Sequence, residues 1–374
     1  MNRLMNLKFG QKLALILLLQ LLPAALALVL LDRSLAHSVR DYERELAGLD
    51  YVEPVADLAS AFAEHDIAST ESGQGNDSFA ERTAAMVSRG NEIVATLEKV
   101  DAGEGSALNA SAQLRSAKDA WQRAAAAGGA AGNAHADGIE RTFALRERVV
   151  MDSGLKLDRN ADTTHLLQVV ADDVPTIMQG GAGIHAAVQQ LRDKGVGNAA
   201  GRERLAVERA RVRETLERMA NELAAAGKEN PALAGRHDAA VGSIRTAFGE
   251  VDAALDRMLL ASAVTPEVSG RLATLLCDAF EKIHAVHDPA SADLRGLLGQ
   301  YRSAAQRTRM LVLAAMALVA AMALFMAWLL VRAIVHAGDR HPLPPRIPHA
   351  VPGRLRNAYP PFARANPKRP GARR

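Results

Sequence analysis

Two apolar runs without a charge bracket the chain, and they constrain its fold more than any other feature. The first is "LALILLLQLLPAALALVLL", Leu13 to Leu31, and the second runs for 22 residues from Met310 to Val331. At 1.5 Å per residue the second reaches about 33 Å, enough to cross a hydrocarbon core of about 30 Å. Gln20 and Pro23 interrupt the first run, which a membrane helix tolerates when its neighbours satisfy the freed polar groups. A cleaved signal peptide is the rival reading, with small residues in "RSLAHS", but 19 apolar residues exceed the usual signal core. The sequence therefore predicts transmembrane helices over 13–31 and 310–335.

Charge sets the orientation. Arg3, Lys8 and Lys12 precede the first run with no acid among them, while the charges just after it nearly cancel. Residues 1–12 are accordingly expected in the cytoplasm. Arg302, Arg307 and Arg309 on the outer side of the second run carry little weight, because a long segment translocates regardless of its charge. The result is a two-pass topology with both termini inside and residues 32–309 outside.

That outer segment reads as helix nearly throughout. Leu35, Val39, Tyr42, Leu46 and Leu49 recur at heptad spacing, and so do Val241, Ile244, Phe248, Val251, Leu255 and Met258. Leu205, Val212, Leu216, Met219 and Leu223 keep the same register, with Arg209 at one seam position. Such stripes belong to helices packed nearly parallel in a bundle, and aromatics at only 4% of residues argue against a sandwich or barrel. Turn-rich breaks at 71–77, 102–106, 128–133, 195–201, 225–231 and 261–270 divide it into about seven helical segments. The first is expected to run on from the membrane with a bend near Pro54. The fold class is all-α: two transmembrane helices flanking an elongated or doubled four-helix bundle.

From Ala337 onward the composition changes. This tail carries nine of the fifteen prolines and a charge of +8, against −5 for everything before it. Residues 336–374 are expected to be a disordered Pro/Arg-rich cytoplasmic tail. Alanine codons read out of phase encode arginine and proline, so a frameshift just after Val335 is the expected origin. The alternative is a polybasic arm, each Lys or Arg adding about 1 kcal/mol of attraction to an anionic leaflet.

Little chemistry is visible. No phosphate-binding glycine loop, Cys-x-x-Cys, Gly-x-Ser-x-Gly or His-Glu-x-x-His occurs, so no catalytic residue is assigned and an enzyme is not expected. The single cysteine, Cys277, lies among apolar neighbours and reads as a buried thiol, with a link between two chains as the alternative. His284 and His287 stand one helical turn apart beside Asp288, but no partner cluster is evident, so no metal and no cofactor are assigned. The glycines of "QGGAGIH" read as a kink or close helix approach after Pro175.

Residues 149–178 depart most from a clean amphipathic pattern. Asp158 and Asn160 read as a helix end and Asp162 as a new N-cap. The functional alternative is a polar lining for a small ligand, and its candidate residues are Asp152, Ser153, Asp158, Asn160, Thr164 and His165.

Two stretches carry a resemblance. "ERELAGLDYVEPVADLASAFAEHD" presents Gly48, Tyr51, Pro54 and His65 in a recurrent order, with Asp66 where Arg often follows. "DSGLKLDRNADTTHLL" matches at Ser153, Leu155, Leu157 and Asp158, with Arg159 in place of Pro and Thr164 and His165 in place of tyrosines. With "LLGQYRSAAQRTRM" entering the second run, residues 1–335 resemble the N-terminal sensor half of bacterial methyl-accepting chemotaxis receptors. The resemblance implies a homodimer in the bacterial inner membrane whose periplasmic bundle detects a small molecule or a binding protein. It implies no nucleic-acid partner. The relay and methylated coiled coil of that family have no counterpart after Val335. The same input module precedes histidine kinases and cyclic-dinucleotide enzymes, and a self-contained membrane protein that modulates full-length receptors is a further alternative.

Overall fold

A computed structural model describes residues 9–105, 107–128, 133–157 and 160–338. Asp158, Arg159 and the Pro/Arg-rich segment from Asp339 lie outside the described residues. Among the described residues there is no strand. The helices are α1 (Phe9–Gly73), α2 (Ala80–Glu104), α3 (Ser111–Ala127), α4 (Ala134–Ser153) and α5 (Ala161–Leu167). They continue as α6 (Val174–Lys194), α7 (Ala199–Glu229), α8 (Asp238–Leu260) and α9 (Pro266–Gly338). The chain divides into two units, residues 23–318 and residues 1–22 with 319–374.

Within 23–318 the helices alternate in direction, as pairs of contacts show. Gly90 on α2 packs on Trp121 of α3, and Asp101 accepts from Ser111 further along the same pair. His65 meets His135, whereas Gly48 meets Ser153, so α4 runs against α1. Arg209 pairs with Asp252 and Asp256, and Arg245 with Glu217, so α8 runs against α7. Two antiparallel four-helix groups result, α1–α4 and α5/α6–α9. One continuous apolar core runs through both, from Tyr51 and Phe62 to Phe280 and Leu298.

The heptad stripes form this core. Val241, Ile244, Phe248, Val251, Leu255 and Met258 are all buried, as are Leu205, Val212, Leu216, Met219 and Leu223. Arg209 occupies its seam position by carrying its head to the two α8 aspartates, 2.9 and 2.8 Å away. The glycines after Pro175 bring helices together. A Cβ on Gly180 would stand 2.5 Å from Val212 Cγ2, and one on Gly181 would stand 2.5 Å from Phe280 Cε1.

α4 ends at Ser153 and α5 begins at Ala161, in keeping with the helix end and new start read in this stretch. Asn160, with extended backbone, holds the N-cap position of α5, and Asp162 lies inside the first turn instead of capping it. Between α5 and α6 the chain makes a π-helical segment, Gln168–Asp173. Pro175 has no N–H for the carbonyl four residues back, that of Ala171. Arg146 Nη1 of α4 donates to that carbonyl at 2.8 Å, and its Nη2 pairs with Asp172 at 2.9 Å.

Among the described residues one helix is long and apolar enough to cross a membrane, Pro266–Leu329 within α9, and its apolar window is not buried at all. This differs from the expected pair. The run 13–31 belongs to α1, which continues unbroken through Pro23 and Pro54. Nine of that run's 19 side chains lie outside those described, while Leu19, Leu22, Leu26 and Leu30 are exposed. In the 319–374 unit Phe325 stacks on Trp328, and the Arg332 guanidinium lies 5.3 Å from the same indole.

Candidate functional site

Of the six residues proposed from sequence, five are described, and Thr164 borders one of the described cavities. Asp152 lies in the last turn of α4, where its carbonyl accepts from Arg44 at 2.9 Å and its carboxylate from Asn109 at 3.1 Å. Ser153 is buried against Gly48: a Cβ there would lie 2.3 Å from the serine Cβ. Its place is thus fixed by packing between α1 and α4. Asn160 donates to Tyr42 Oη at 3.3 Å, and His165 Nδ1 donates to Glu222 of α7 at 2.6 Å. Thr164 borders a cavity of about 100 Å³ with Arg146, Leu155, Lys156, Gln168 and Asp172. Ligand pockets start at about 300 Å³, so this one does not hold a small organic molecule. Asp158 lies outside the described residues.

The other acids of that stretch are engaged in packing. Asp162 Oδ2 accepts from Tyr301 of α9 at 2.7 Å and Asn230 at 3.1 Å. Asp173, fully buried, accepts from Arg218 at 2.7 Å, yet burial still pushes its carboxyl above the usual range. These two carboxylates thus tie α5 and the start of α6 to α7 and α9.

A larger opening lies elsewhere, along α1 and α2. Asp50, Glu53, Asp57, Thr96, Lys99 and Glu104 border an open cleft of about 500 Å³. Four carboxylates against one ammonium make it acidic. Behind it α1 and α9 run antiparallel, joined by a series of polar contacts. Glu71 accepts from Ser269 at 2.7 Å, Glu64 from His284 at 3.2 Å, and Glu53 from Arg295 at 2.6 Å. Glu53 also accepts from Ser291, Asp50 from Arg295, and Asp32 from Arg309 at 3.0 Å.

In the middle of this series Asp57 meets His284 and His287. One donor atom from each lies within 4.8 Å of the others, which is metal-ligand geometry. Asp57 and His284 are half-buried, and His287 is 3% exposed. Burial pushes the Asp57 carboxyl up, with the two imidazoles and Arg89 working against that shift. Asp288 is held low, chiefly by its hydrogen bond from His287.

No family model matches this sequence, and no curated protein and no solved structure matches it. The site therefore has to be read from its own chemistry. Sequence reasoning found His284, His287 and Asp288 and set them aside for want of a partner. The missing partner, Asp57, comes from α1, far away in sequence but adjacent in the fold. The one available signal was that α1 and α9 flank the domain and so must pair. In α1, Glu53, Asp57, Glu64 and Glu71 then fall at spacings of 4, 7 and 7 along one face.

Proposed function

We propose that this chain is the input module of a two-pass transmembrane receptor of the chemotaxis type. It would sit in a bacterial inner membrane as a homodimer, with both termini cytoplasmic and residues 32–309 in the periplasm. Its role is non-enzymatic: it detects a small periplasmic ligand or a binding protein and passes the signal inward. A histidine kinase or cyclic-dinucleotide enzyme is the alternative output for the same module.

The observation that carries this reading is the α1–α9 pair. Each helix contains one of the long charge-free runs, and the two are joined from Asp32–Arg309 to Glu71–Ser269. A ligand that changes this pairing moves one helix against the other, and shifts of about 1–2 Å suffice in helical switches. The exposed Met310, Leu318, Leu324 and Phe325 fit a lipid environment, and Trp328 under Arg332 fits its polar boundary. The acidic cleft along α1 and α2 is the roomiest of the described cavities for a ligand.

Topology decides the matter. Single cysteines replace Lys194 and Arg3 in a Cys277→Ala background, and intact spheroplasts are treated with a membrane-impermeant maleimide. Labelling of the Lys194→Cys chain but not the Arg3→Cys chain is expected. Labelling of both, or of neither until lysis, overturns the receptor reading.

A further inference from the structure

We propose that Asp57, His284 and His287 bind a divalent transition-metal ion between α1 and α9. The inference stands on side-chain geometry and does not depend on the receptor reading. Three donor atoms of the right kinds already lie within 4.8 Å of one another, from two antiparallel helices. His284 and His287 are one turn apart, so both imidazoles leave α9 on the same face.

The second observation is an unsatisfied nitrogen. His287 is almost wholly buried, yet its Nε2 has no hydrogen-bond partner. Leaving such a group bare costs free energy that a metal bond would recover. Its other nitrogen, Nδ1, donates to Asp288 at 3.3 Å. His284 is held in the same manner, its Nε2 donating to Glu64 at 3.2 Å. A carboxylate behind each imidazole fixes ring orientation and raises ligand basicity, which is the usual support of a metal-bound histidine. Each ring keeps one nitrogen for the ion.

Two imidazoles and one carboxylate select the metal class. Magnesium and calcium prefer all-oxygen shells, whereas zinc, nickel, cobalt and copper accept this mixed set. Three protein ligands leave a position open for water or another ligand. Asp57 also borders the acidic cleft, so an ion can reach it from solvent through a field that concentrates cations.

The test is calorimetric titration of the full chain, in detergent at neutral pH, with zinc chloride. One ion per chain with a micromolar or tighter Kd is expected. Asp57→Asn and His287→Gln should each weaken it at least about tenfold, and Asp288→Asn by about tenfold at unchanged stoichiometry. Melting curves read alongside show whether each variant is folded. Should the variants unfold, X-ray absorption of the zinc-loaded unmodified chain replaces them, with two imidazole ligands expected. Absence of zinc binding by the unmodified chain overturns the proposal. So does undiminished binding by a folded Asp57→Asn chain, or a zinc shell without imidazole.

Discussion

Nδ1 of His65 lies 2.7 Å from Nε2 of His135, joining α1 to α4 inside the core. Both rings are buried, and His65 also meets Trp121 edge to face. Asp66 is 3.1 Å from His135 Nδ1, near enough to act by charge but not aligned as a hydrogen bond. Burial, then the positive charge available to His135, pulls the His65 imidazolium down to about 4, with Asp66 opposing. The unfolded chain therefore binds the extra proton between pH 6.5 and 4, and the folded chain refuses it. Stability is full above pH 6.5 and falls as the pH drops, by about 3 kcal/mol from this residue. Urea unfolding at pH 7.5, 6 and 5 should show that decline, and His65→Gln should flatten it. An unchanged slope in the variant shows that His65 is not its source.

Gly48 and Ser153 make a second interlock on the same pair of helices. An alanine Cβ at position 48 would stand 2.3 Å from Ser153 Cβ and 2.4 Å from its Oγ, inside any real contact. Alanine gains about 1 kcal/mol of helix propensity over glycine, but overpacking costs about 1–3 kcal/mol. Gly48→Ala should therefore be neutral to destabilising by about 2 kcal/mol, and Gly48→Ala with Ser153→Gly should be more stable than the single variant. A double-mutant cycle by urea unfolding measures the coupling, expected to be about 1–2 kcal/mol. Ser153 looked like a ligand contact because it is a small polar residue in a polar run. Its contacts are those of a packing residue.

That contrast marks how far the residues alone could be read. The stripes on α7 and α8 were legible because heptad spacing encodes a buried face within one segment. Every expected break also overlaps or adjoins a helix end, since glycine clusters terminate helices. The polar stretch 149–178 was not legible, because its meaning lies in distant partners. Asp162 accepts from Tyr301, and one oxygen of Asp173 accepts from Arg218. Nothing near Pro175 announces that Arg146 takes over the carbonyl the proline leaves open. The Asp57–His284–His287 cluster was hidden for the same reason: one of its residues sits on α1 and two on α9.

Cys277 gives a chemical check on the packing of α9. It is fully buried among apolar neighbours, and burial pushes its thiol up to about 12. Reaction with a thiol reagent at pH 8 should be at least about a hundredfold slower in the native chain than in the urea-unfolded one. The same burial keeps it from linking two chains, so a non-reducing gel of native protein should show no covalent dimer. Fast native labelling would mean that α9 opens there far more readily than its packing allows.

Glu71 joins three helices through one oxygen. Its Oε1 accepts from His185 at 2.9 Å, from Gln189 at 2.7 Å and from Ser269 at 2.7 Å, tying α1 to α6 and α9. Burial opposes the charge, but the donors from His185, Ser269 and Gln189 outweigh it and hold the carboxyl below its usual range. The contribution of this group is present above pH about 4.5 and is lost as the pH falls through its lower folded value. Glu71→Ala would remove an acceptor from buried His185 and Ser269 and from part-buried Gln189, which still reaches Ser269 Oγ, and should cost about 3 kcal/mol, whereas Glu71→Gln keeps one acceptor and should cost less. Urea unfolding at pH 7 orders the two. Equal losses would mean that the negative charge, and not the count of satisfied donors, holds this junction together. A loss below about 1 kcal/mol in Glu71→Ala would mean that α1, α6 and α9 are joined there by apolar contact alone.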